Sequence, residues 1–149
     1  MKIKSGFSRY ELGEIGSMTG SISYDGFKID ELGSADVKSD FSNMDIGKFR
    51  KSFHAEKFSY GSLKIGQVDE NFSNIKVDAS FTKINVALGK NHNFRTTLYS
   101  NFGSIKTGDV VFHEKSLDKK DVIVGIAGKL EEPPATVDIS NSYGNIVFE

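Results

Sequence analysis

A chain of 149 residues, 38% hydrophobic and 26% charged, has the size and composition of one folded domain, long enough to bury roughly 70% of its unfolded surface. It has no Cys, which excludes disulfides, thiolate metal sites and Cys nucleophiles. Its net charge of −1, from 19 basic and 20 acidic residues without a block of one sign, argues against nucleic acid as a partner, because phosphate contacts demand a basic excess.

In chain order, the start MKIKSGF lacks the apolar core of a signal peptide. No later stretch reaches the ~20 apolar residues of a membrane span. A nine-residue phrase then recurs, each copy opening on an aromatic residue, here called position 1. The first is FSRYELGEI from Phe7. GSMTGS (16–21) follows; it lacks the Lys of a phosphate-binding loop, has no helix after it, and reads as a corner. Further copies are YDGFKIDEL from Tyr24, FSNMDIGKF from Phe41, YGSLKIGQV from Tyr60, FTKINVALG from Phe81 and FGSIKTGDV from Phe102. FSNIKV (72–77) repeats the motif off phase, as a second face that borrows it or as a fault in register. Residues 111–121 are largely polar and read as a surface loop, as does EEPP (131–134), since paired Pro cannot sit inside a sheet. The last copy is YGNIVF from Tyr143. The steps are 17, 17, 19, 21, 21 and 41 residues. The final doubling predicts a hidden copy at IVGIAG (123–128), with Ile123 in the aromatic slot.

The columns of the repeat are regular. Position 4 is apolar in all seven clear copies and position 6 in six, Thr107 being the exception. Position 5 is mostly polar, as an extended chain with one buried face requires. Position 7 is Gly in Gly13, Gly47, Gly66 and Gly108, which suggests a corner with positive φ or close backbone approach. Position 9 opens a second inward face, and Met18, Ala35, Phe53, Phe72 and Phe94 a third. No stretch has helical spacing. The expected fold is therefore all-β: a single β-solenoid domain over 1–149, a parallel β-helix of about eight coils of 17–21 residues, with like residues stacked on like. The small or polar residues at positions 2 and 3 suggest a bend that lets the aromatic and position 4 both face inward, so the rings form an internal column. Phe81→Ala or Phe102→Ala is then expected to cost ~3–5 kcal/mol. Position 5 runs Glu11, Lys28, Asp45, Lys64, Asn85, Lys106, the alternation that a stacked ladder prefers. The rival architecture is an antiparallel sandwich, which has no need of the same residue at the same phase.

The phrases NFSNIKVDASFTKINVAL (71–88), NFGSIKTG (101–108) and ISNSYGNIVF (139–148) resemble a bacterial adhesin-like family of exported proteins of unknown function, found in Bacteroidetes-type bacteria. The resemblance spans nearly the whole chain. It implies a single-stranded, right-handed parallel β-helix, a periplasmic or cell-surface location, and descent from a longer precursor that carries the export signal. It brings no catalytic residues with it.

The residues themselves offer little chemistry. His92 and His113 lie 21 apart, about one coil, so that with Glu114 they could hold a metal, but surface His on loops is the preferred reading. His54 has no partner in phase. Asp69/Glu70 and Glu131/Glu132 are adjacent acids, which point to opposite faces of a strand and make poor acid–base partners. Asp36, Asp45 and Asp78 read as solvated, and Phe27 or Tyr99 as sugar platforms only if exposed. The expectation is a non-enzymatic binding or structural module, without cofactor or metal, whose ligand-binding residues are unassigned. The partner is a surface glycan, a protein or another copy of the chain. The alternatives are a carbohydrate-binding or carbohydrate-active β-helix, and a scaffold assembling through open sheet edges, including one left bare where the chain stops at Glu149.

Overall fold

The structure, a computed structural model, describes residues 2–89 and 91–148. The strand-forming pattern of each repeat is carried into the backbone. β1 (Lys2–Gly6) and the long β2 (Arg9–Ser23), β3 (Gly26–Asp40) and β4 (Asn43–Ser59) come first. Shorter strands follow: β5 (Ser62–Ile65), β6 (Asn74–Ser80), β7 (Lys83–Val86), β8 (Phe94–Asn101) and β9 (Ile105–Lys106). The chain ends with β10 (Phe112–Asp118), β11 (Val122–Ala127), β12 (Ala135–Ser142) and β13 (Ile146–Phe148). All thirteen strands join one curled, mixed sheet, and there is no helix among the described residues.

Most pairings are parallel and join equivalent residues of different repeats. Leu12, Ile29, Ile46, Ile65, Val86 and Phe148 form one such column. Tyr10, Phe27, Met44, Leu63, Ile84, Ile146 and Ile105 form another. On the third face Met18, Ala35 and Phe53 are continued by Ile75, Val137 and Thr96. Phe72 and Phe94, expected in that column, are buried just ahead of it. FSNIKV is thus the motif borrowed by a second face, with Ile75 and Val77 paired to Phe53 and Ala55. The lengthening of the repeat from 17 to 19 has a direct cause. β4 carries two bulges against β3, one between Leu32 and Ser34 and one between Lys38 and Ser39, each adding one residue.

Three expectations are corrected. First, the repeats do not stack in sequence order. β12 lies between β6 and β8, and β13 between β7 and β9, so the C-terminal repeat is inserted between the fifth and sixth. The end of the described chain is therefore no bare edge, while Glu149 itself lies outside the described residues. Second, there is no copy at 123–128. That segment is β11, antiparallel to both β8 and β10, and Ile123 pairs with Leu98. Third, the polar stretch read as a loop is largely β10, an exposed strand whose bulges and charges suit an outer edge and hide its alternation. GSMTGS lies within β2, with Met18 buried.

Candidate functional site

The rings do stack, but outside the core. Phe7, Tyr24, Phe41, Tyr60, Phe81, Tyr143 and Phe102 follow one another with centroids 4.7–4.9 Å apart and planes within 10° of parallel. That spacing is the strand spacing. All seven are exposed, by 43% to 83%. The reason lies in the backbone: each has φ between 50° and 61°. A left-handed residue turns the chain so that position 1 points out and position 2 points in. Gly at position 7, the expected corner, has positive φ only at Gly108. An αL corner costs an L-residue of order 1 kcal/mol or more, and a stacked aromatic pair returns roughly 0.5–1.5 kcal/mol.

Beneath the rings a row of small polar side chains completes the corner, and sequence reasoning missed it. Asp25 is 3% exposed, and its carboxylate accepts the amides of Ser8 at 2.7 Å and Ser23 at 3.1 Å. Ser42 Oγ accepts the Asp25 amide at 3.0 Å, and Thr82 Oγ1 donates to Ser80 O at 2.8 Å. Asn141 Nδ2 donates to Thr82 O at 2.6 Å and Ser100 Oγ to Gly144 O at 3.0 Å, tying the inserted repeat to both neighbours. Where position 2 is Gly, room explains it: a Cβ on Gly61 would stand 1.8 Å from Ser42 O. The backbone ladder runs unbroken through the corner, Phe81 N donating to Ser142 O at 2.7 Å and Tyr143 N to Asn101 O at 2.6 Å.

Beside the rings lies an open groove of about 640 Å³. Tyr24 and Phe41 form one wall. The outward position-5 residues Lys28, Asp45 and Lys64 form the other, with Gly26, Asn43 and Ser62 between them. The expected position-5 register holds from Glu11 to Asn85, after which Val147 stands between Asn85 and Lys106. Tyrosine hydroxyls fall on every second rung, since the spatial order alternates Phe and Tyr from Phe7 to Phe102.

The other candidates stand apart. His92 accepts the Gly89 amide at Nδ1 (3.0 Å), so its Nε2 carries the proton and donates to Val68 O at 2.9 Å. Both ring nitrogens serve the backbone, and the imidazole clamps a loop. His113 is exposed on β10 together with Glu114. His54 Nδ1 lies 3.5 Å from Asp36 on the third face, in register with Lys76. Asp69 accepts the Asn71 amide in a turn, and Glu131 and Glu132 are exposed in the 128–134 loop. Among the described residues no three His, Asp or Glu side chains gather as metal ligands. Phe27 is buried against Tyr10, while Tyr99 is 40% exposed on β8. No helix of the described residues is long and apolar enough to cross a membrane. Comparison of the chain with protein-family models, with curated proteins and with solved structures gives no match.

Proposed function

We propose that this chain is a non-enzymatic, adhesin-like binding module. In this reading its parallel repeats wind as a right-handed β-helix, exported to the periplasm or cell surface, and the ring stripe with its groove receives a protein partner. The observation that carries the reading is the exposure of seven stacked rings. Six steps of 4.7–4.9 Å make an apolar stripe about 29 Å long. Stripes of that size mark interaction surfaces, and Tyr and Phe are enriched at the centres of protein interfaces. The charges and amides along the groove supply a polar rim. The location and the handedness rest on the resemblance of NFSNIKVDASFTKINVAL and ISNSYGNIVF to exported adhesin-like proteins.

A glycan is the second reading, favoured by the polar groove floor. The rings weaken it. A neighbour lies against each face of the five inner rings, so they offer edges, and only Phe7 and Phe102 keep a free face for a sugar.

The test is a binding panel of immobilised extracellular-matrix proteins and glycans, probed with the full chain and with the groove variants Asn43→Ala and Lys64→Glu. The expected result is binding to a protein, weakened at least about tenfold in the variants, the loss that removing interface contacts worth about 1.4 kcal/mol produces. Binding to glycans alone, or to nothing on the panel, contradicts the reading.

A further inference from the structure

The place of the C-terminal repeat has a consequence for how copies of this chain meet. The repeat fills a slot with two complete walls. β12 pairs along its length with β6 and with β8, so that Asp138 stands between Lys76 and Thr97. β13 pairs with β7 and β9, so that Ile146 stands between Ile84 and Ile105. Tyr143 is clasped between Phe81 and Phe102, each 4.9 Å away. Among the described residues the two walls do not pair with each other. If the walls stayed apart without the insert, each would present a bare row of amides and carbonyls, which accepts any strand of the right pattern.

Three features make the insert separable. It is joined to β11 by 128–134, GKLEEPP, a mostly exposed stretch without strand pairing. Its two Pro keep the linker itself out of sheet pairing. Most tellingly, the walls share one phase. Lys76 and Thr97 are 21 residues apart, as are Tyr60 and Phe81, and Phe81 and Phe102. When the insert is out, β8 can therefore pair directly with β6 and Phe102 can stack on Phe81, one rung nearer. The vacated form keeps a continuous ladder, so the insert leaves and re-enters without exposing two raw edges. Every contact that the segment makes in its own chain is available to it in another.

We propose that the slot is an acceptor site for residues 135–148 of a second copy, and that two copies exchange their C-terminal repeats reciprocally. Only the 128–134 linker changes conformation in such an exchange, which is the condition for low-cost domain swapping.

The chain has no Cys, so single substitutions report without background. Lys76→Cys and Asp138→Cys replace exposed, directly paired residues. The two variants are mixed at high concentration, incubated just below the unfolding temperature and oxidised. The expected product is a disulfide-linked heterodimer, formed in clear excess over a control mixture of Lys28→Cys with Asp138→Cys. A doubly substituted Lys76→Cys/Asp138→Cys chain at low concentration should close its disulfide internally. If it does so while the mixed variants give no more heterodimer than the control, the proposal is overturned. Native mass spectrometry of the unmodified chain after the same incubation is independent of the substitutions. It should show a dimer that survives dilution, and a purely monomeric spectrum would also overturn the exchange.

Discussion

At position 1 an aromatic ring sits on a left-handed backbone conformation that disfavours bulky L-residues and suits Gly. Phe41 has φ 53° and is stacked on both faces, by Tyr24 and Tyr60. Phe41→Ala removes the stacking and keeps the strained corner. Phe41→Gly removes the stacking and relieves the corner. Phe41→Ala is expected to be the less stable in a urea titration, by about 1 kcal/mol; equal stabilities would show that the corner carries no strain. Underneath, Asp25→Ala leaves the amides of Ser8 and Ser23 without their carboxylate acceptor. A loss of about 1–3 kcal/mol is expected from the same titration. A loss well below that range would mean that water reaches the corner. The rings were legible in the sequence as a column but not as an outward one. Positions 1 and 4 are three residues apart, so on an extended chain they face opposite ways. On residue types alone, a bend at positions 2 and 3 that places both inside satisfies the pattern equally well. The backbone resolves the conflict with a left-handed residue at the ring itself, and the small polar residues on either side of each aromatic were the available sign.

At the scale of the strands, burial follows the expected alternation. The positions 4, 6 and 9 named from the repeat are buried or half-buried in every rung, and Met18, Ala35, Phe53, Phe72 and Phe94 are all in the core. The large stability cost expected for Phe102 therefore moves to these residues. Phe53→Ala should lose ~3–5 kcal/mol, because Phe53 is fully buried and its loss leaves a cavity. Phe102→Ala, at a 74% exposed ring with one stacked neighbour, should lose only about 1 kcal/mol. A differential scanning calorimetry trace with the two variants melting together would contradict this partition. Glycines divide in the same way. Gly61→Ala places a Cβ 1.8 Å from Ser42 O and should cost about 1–3 kcal/mol, whereas Gly13→Ala meets nothing within 4 Å and should be close to neutral. β10 escaped detection because its two bulges break the period on which strand recognition depends.

At the scale of the whole molecule, a period reports phase but not the order in which repeats are stacked. Tyr143 has the same phase whether it follows Phe102 or precedes it in space. The doubled final step invited a missing copy, and the chain uses those residues instead for the antiparallel excursion of β10 and β11 and the return to the slot. One trace of the true order was present. Read along the chain, the rings run Phe, Tyr, Phe, Tyr, Phe, Phe, Tyr; with the last repeat inserted, they alternate throughout. The candidate groove was less legible still, because Lys28, Asn43 and Lys64 acquire a shared surface only once three separate repeats lie side by side. Ring contacts in solution address this arrangement most directly. In a nuclear Overhauser spectrum of the full chain, Tyr143 ring protons should give cross-peaks to both Phe81 and Phe102, with none between Phe81 and Phe102. Strong Phe81–Phe102 cross-peaks, with Tyr143 contacting at most one of them, would contradict the inserted repeat and the continuous outward ladder built on it.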